Sequence, residues 1–152
     1  MIKENELKQL AEATPKEEIK FRVGRKFDYE SKRYAMMLKY IDARYVQDTL
    51  DRIVGTGNWT NEYFEIKGNL FCKITIYFER EEGKTTSISK MDCGTESNVE
   101  KQKGESSDAF KRCAVHFGIA RDLYIPEKNK WDMVVELDKK DNVPKNWKPK
   151  NF

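Results

Sequence analysis

Several short stretches carry residues whose types and spacing could do chemistry. Cys113 and His116 stand three apart, one helical turn, as two zinc ligands or a thiol beside its base would. Zinc needs three or four compact ligands, and Cys93 and Cys72 lie far upstream, each alone on a strand-like segment. Cys113 also falls in the middle of an apolar stripe, where a free thiol is buried and unreactive. Glu65-Ile66-Lys67 has the acidic-x-Lys form that can hold Mg²⁺ and position a water. The string EIK recurs at 18–20, and no convincing second carboxylate stands on a neighbouring strand. GTGN at 55–58 lacks GK[ST] and ends a helical pattern instead of starting one, so it is no phosphate loop. No catalytic residue, metal or cofactor is expected. What remains is Lys111-Arg112. The two project about 100° apart on a helix, onto the flanks of an apolar face. They either snorkel beside the core or hold a phosphate backbone at a groove edge.

The elements that must position these residues are partly legible. SSDAFKRCAVHFG (106–118) predicts a helix with Ser106 or Ser107 as N-cap and Gly118 as stop. Ala109, Phe110, Cys113, Ala114 and Phe117 share its apolar face. Lys111-Arg112 would then lie one turn from the N-terminus, where the macrodipole disfavours cations. Residues 43–54 predict a second helix, with Asp42 as N-cap, an Ile41–Val46 staple and Gly55 as stop. Its apolar face carries Ala43, Val46, Leu50, Ile53 and Val54. Between the two helices lies an antiparallel meander over 58–67, 70–80 and 84–94, with turns at Gly68-Asn69 and Glu82-Gly83. In the middle strand Leu70, Cys72, Ile74, Ile76 and Phe78 point one way; Phe71, Lys73, Thr75, Tyr77 and Glu79 point the other. Residues 3–13 read as a short amphipathic helix, 15–33 as an irregular basic arm with a short strand at IKFRV, and YAMMLKYID as the lead into the first long helix. Residues 95–105 read as a polar connection, WDMVVELD as a last strand, and the residues beyond as a mobile tail. The fold class is therefore α+β: a three-stranded antiparallel meander packed on helices. One domain over 1–126 is expected, followed by a short strand and basic tail over 127–152.

Charge points to a polyanion. The net charge is only +3, but Lys20 to Tyr34 holds six basic and two acidic residues, a local excess of +4. Residues 138–152 add five lysines against two aspartates. Basic residues interleaved with Phe, Tyr and Trp suit phosphates and bases together. The three cysteines are odd in number and scattered, which fits a reducing cytoplasm better than a disulfide framework. The N-terminus is too polar for a signal peptide, and no apolar run approaches a membrane span.

YIDARYVQDTLDRIVGTGNW (40–59), the meander, and CGTESNVEKQKGESSDAFKRCAVHFGIARDLY (93–124) together resemble Sak-type single-strand annealing proteins of phages. These are relatives of the eukaryotic annealing protein Rad-fifty-two. PKEEIKFRVG (15–24) is similar to the arm that precedes this domain in bacterial and phage members, and the similarity covers residues 12–126. The resemblance implies a β-β-β-α core whose subunits stand side by side in rings or arcs. It implies ATP-independent binding of single-stranded DNA along a positive groove and annealing of a complementary strand, without chemical turnover. For the inner groove it implies Lys111 and Arg112, with Arg44 nearest a further basic position that Tyr45 strictly occupies. Lys101, with Lys103 beside it, matches a second strand site in the connection. Val115 stands where the eukaryotic protein has one more basic residue; Lys73 or Lys90, or Arg22, Arg25 or Lys26 on the arm, are candidates to complete the groove. The lysine-rich 139–150 is expected to touch either DNA or the acidic tail of a single-stranded-DNA-binding protein. A non-annealing nucleic-acid-binding mediator and a Mg²⁺-dependent nuclease are the alternatives.

Overall fold

The computed structural model describes residues 1–95 and 101–152, the side chains of 101–103 excepted. The chain is α+β, with two antiparallel three-stranded sheets. It divides into two compact units, Met1–Thr14 with Asp42–Asp122, and Pro15–Ile41 with Leu123–Phe152. Residues 127–152, expected as a strand and tail, thus share a unit with the segment expected as an arm.

The first unit is built on the meander: β3 (Trp59–Ile66), β4 (Asn69–Glu81) and β5 (Lys84–Cys93). The alternation read in β4 holds: Cys72, Ile74, Ile76 and Phe78 are buried, while Tyr77 on the other face is exposed. The first turn is centred on Lys67-Gly68, both at positive φ, so Asn69 opens the strand instead of lying in the turn. Two helices accompany the sheet, α1 (Ala43–Ile53) and α2 (Lys101–Val115), and α2 packs on β4 and β5 with α1 alongside it. The expected stripe of α1 shifts. Tyr45 and Thr49 are buried with Val46 and Leu50, the Thr49 hydroxyl donating to the Tyr45 carbonyl at 2.8 Å. Asp42 has the extended backbone of an N-cap but no side-chain capping bond. GTGNW finishes this helix: Gly55 takes φ 97°, the Asn58 amide donates to the Val54 carbonyl at 2.9 Å, and the Trp59 indole donates to Asp51 at 2.7 Å. The N-terminal amphipathic helix is a 3₁₀ helix, Glu4–Ala11, that buries Leu10. Asp122 accepts from both the Thr14 amide and hydroxyl, at 2.9 and 2.6 Å, and so ties the end of that segment down.

The second unit corrects the expected arm. Residues 20–40 form a hairpin, β1 (Lys20–Tyr29) and β2 (Lys32–Tyr40), and YAMMLKY is strand instead of helix lead-in. A short apolar run cannot be assigned by periodicity alone. The turn is Glu30-Ser31 with both residues at positive φ, a geometry that Gly or Asn usually signals. The last strand, β6 (Val134–Glu136), pairs with β2 and places β2 at the sheet centre. Ala35, Met37, Met133, Val135 and Leu137 form the core of this unit, with Phe21, Val143 and Trp147 packed against it. The expected mobile tail is therefore folded. Trp147 and Phe152 meet the Phe21 ring edge-on at 5.6 and 5.1 Å, and Lys16 donates to the Phe152 carbonyl.

Candidate nucleic-acid interface

The helix that carries Lys111-Arg112 is longer than its apolar pattern predicts. It is described over Lys101–Val115, and polar residues leave no hydrophobic period in its first turns, so the apolar pattern shows only the second half. Arg112 therefore lies in the last turn, where the macrodipole favours a cation, and not one turn from the N-terminus. Ala109, Phe110, Cys113 and Ala114 are buried as expected, and Phe110 stacks on Trp59 at 6.0 Å. Lys111 lies at the flank of this face, half-buried, and Arg112 is exposed.

A hydrogen-bond network fixes the helix to the strand end before it. Asp108 accepts from the Thr95 amide at 2.9 Å, the Thr95 hydroxyl at 3.0 Å and Arg112 Nε at 2.8 Å. Burial alone would raise the Asp108 carboxyl, but these bonds outweigh it and hold it below the usual carboxylate range. Gly94 is required there: a Cβ at this position would lie 2.2 Å from the Glu105 carbonyl oxygen and 2.8 Å from the Ala109 nitrogen. The CGT and SSDAFKR strings are thus two sides of one joint.

The C-terminal end of the helix is capped by cations. Lys90 donates to the His116 carbonyl at 2.7 Å and lies over the Phe117 ring. Arg121 donates to the Val115 carbonyl at 2.9 and 3.1 Å and to that of His116 at 3.1 Å. These bonds satisfy carbonyls that a helix end leaves open. Sequence reasoning did not single out Arg121, although it stands in the quoted GIARDLY string. It brings a guanidinium to the carbonyl of Val115, the residue where a basic side chain was expected and missing.

The expected groove residues do not all share one surface. Lys90 pairs with Ile74, on the face of the sheet that α2 covers. Lys73 pairs with Met91 on the opposite face, so it stands apart from Lys111, Arg112 and Lys90. Arg44 is exposed in the first turn of α1, whereas Tyr45 is buried, and burial raises its phenol. The backbones of Lys101 and Lys103 belong to α2, not to a connection. Residues 96–100 and the side chains of Lys101 and Lys103 lie outside the described residues. Of the arm residues, Lys26 gives its ammonium to Asp141, at 2.8 Å to the carbonyl and 3.0 Å to the carboxylate. Arg22 and Arg25 are exposed on β1.

Among the described residues no group of three His, Cys, Asp or Glu side chains is placed to hold a metal. Cys72 and Cys113 are fully buried, and the Cys113 thiol donates to the Lys90 carbonyl at 3.0 Å. A hydrogen bond with Cys113, and then burial, push the Cys72 thiol far up. His116 is exposed, with Nε2 2.9 Å from Asp92. Among the described residues no helix is long and apolar enough to cross a membrane.

Residues 3–143 match the family model described as Rad52/22 family double-strand break repair protein. The chain belongs to this family. The expected kinship with Rad-fifty-two is thereby shown. Two curated relatives are similar over 94 residues, each called single-stranded DNA-binding protein DdrA. The one from Deinococcus deserti is 38% identical and the one from Deinococcus radiodurans 35%; each match covers 59% of this chain. The matched stretch spans 43% and 41% of those two proteins, less than half their length.

Proposed function

We propose that this chain binds single-stranded DNA and anneals complementary strands in recombination and repair, without ATP and without chemical turnover, as a side-by-side homo-oligomer in the cytoplasm. Membership of the Rad52/22 family carries the reading. The seating of α2 supports it, since Lys111 and Arg112 stand on a helix bonded to Thr95 at its middle and to Lys90 of β5 at its C-terminal end. On this reading the two cations, with Arg44, hold the phosphate backbone and leave base edges free to pair. Pairing supplies the free energy, so no nucleotide need be hydrolysed. A second reading, binding without annealing, is favoured by the relatives' name, which states binding alone.

One experiment separates the readings. Complementary labelled oligonucleotides are mixed with the protein, with and without ATP, Mg²⁺ and EDTA. Faster annealing that ignores all three is the expected result. Retarded strands with no acceleration would leave only the binding reading, and Mg²⁺-dependent shortening would make the chain a nuclease. Lys111→Ala is expected to weaken strand binding several-fold and to lower the salt slope by about 0.7 per bound subunit. An unchanged slope would remove Lys111 from the groove.

A further inference from the structure

The hairpin carries a second surface of a different kind. In β1 the pairing register slips at Gly24: Val23 faces Met37, but Arg25 faces Met36. A β-bulge of this sort re-aims side chains. Without it, Arg22 and Arg25, three apart, would lie on opposite faces of the strand. With it, both share the face of Phe27, Tyr29, Tyr34 and Tyr40, and Lys26 is turned to the other side. The bulge depends on glycine, because a Cβ on Gly24 would stand 2.9 Å from Leu38 Cγ and 3.2 Å from the Met36 carbonyl oxygen.

This face is not the core of its unit. The core lies behind it, on the side of Ala35 and Met37, which are 0% and 6% exposed. On the front, Tyr29 is 48% and Trp131 47% exposed, their rings 5.1 Å apart. Phe27 stacks on Tyr34 at 5.7 Å, and Trp131 meets Tyr34 edge-on at 5.6 Å, so these rings are held in place. The guanidinium of Arg25 lies over Phe27 at 5.2 Å, and that of Arg22 over Tyr40 at 5.8 Å. Exposing large rings to water has a cost that monomeric surfaces usually avoid, and such patches mark interaction sites. A preset row of rings with cations along it fits a flexible polyanion that carries flat apolar groups.

We propose that this front face of the hairpin unit is a stacking platform for single-stranded nucleic acid, with bases on Tyr29 and Trp131 and phosphates on Arg22 and Arg25. The inference rests on the reading that the chain binds single strands, but it names a separate surface and a separate mode of contact. The α2 cations hold the backbone and ignore the bases; the platform takes the bases themselves. It also separates the three arm residues, since Lys26 is turned away and bonded to Asp141.

The test compares the full chain with Trp131→Ala, Tyr29→Ala and the Arg22→Gln/Arg25→Gln pair. The probes are oligothymidylate, oligouridylate and an abasic deoxyribose oligomer of equal length. Loss of Trp131 is expected to weaken oligothymidylate binding about fivefold to a hundredfold, the range for one stacked base. Binding of the abasic oligomer should not change, whereas Lys111→Ala should weaken both. Equal losses on oligouridylate identify the ligand as single-stranded nucleic acid in general; a loss on oligothymidylate alone assigns the platform to DNA. The Arg22/Arg25 pair is exposed and gives a reading even if the aromatic variants unfold: it should weaken both natural oligomers and flatten the salt slope. Unchanged affinities in all variants, with groove binding intact, would overturn the platform alone. A chain that binds no oligomer at all would overturn the proposed function with it. A fall in assembly mass, with affinity unchanged, would instead make this face an interface between copies.

Discussion

Asp108 shows how a residue inside a motif can act through its neighbours. The SSDAFKR string carries the Lys-Arg pair, and Asp108 ties the pair's helix to Thr95 and bonds Arg112. Its carboxyl is only 27% exposed, so the bonds are little screened. Its folded pKa is depressed, so its stabilisation is present above the ordinary carboxylate range and is lost as pH falls through the folded value. Asp108→Asn is therefore expected to cost about 1–2 kcal/mol at neutral pH, seen as a lower denaturant midpoint. It should also flatten the acid limb of the stability profile, because the variant has no carboxyl to protonate. An acid limb as steep as that of the unaltered chain would mean that Asp108 is not the coupled group. This role is not legible from residue type alone, because Ser106 and Ser107 signal a helix start and nothing in the sequence ties the loop residue Thr95 to Asp108.

At the scale of elements, legibility followed local regularity. β4 alternates strictly, and Cys72, Ile74, Ile76 and Phe78 are buried as the alternation predicts, with Thr75 buried on the opposite face as well. The hairpin of β1 and β2 was hidden twice, by a bulge that breaks the alternation and by a turn with neither glycine nor asparagine. The tail was hidden because Val143, Trp147 and Phe152 are spaced without period, and only the fold brings them to Phe21. This changes how the tail must be tested. Removing 138–152 would strip the core of its unit, so loss of DNA binding would say nothing about the lysines. Trp147→Ala, a half-buried ring, should alone cost about 2 kcal/mol. The informative variant replaces Lys139, Lys140, Lys145 and Lys150 with Gln and spares Lys148, which lies over Phe21 and Phe152. We expect an unchanged melting temperature with either weaker strand binding or loss of an Asp/Glu-rich peptide. If both persist, the tail has only its structural role.

For the whole molecule the question is how so modest a net charge holds a long polyanion. A subunit at +3 offers few phosphate contacts on α2, and each contact is weakened by salt. Several subunits along one strand would multiply those contacts through effective concentration. The first unit has the means for side-by-side assembly. Among the described residues, β3 and β5 have no strand neighbour on their outer sides, and such edges are pairing templates. The outer face of the sheet adds exposed Phe64 and Met91. Assembly would therefore serve both to cover edges and to raise affinity. Native mass spectrometry is expected to find multiples of the subunit mass, and affinity should rise steeply with oligonucleotide length beyond what one subunit spans. Dilution that favours the monomer should weaken binding and flatten the salt slope together, because fewer phosphates are then neutralised at once. A chain that stays monomeric on long strands, with an affinity independent of their length, would show that one subunit suffices and would leave the open edges to a different partner.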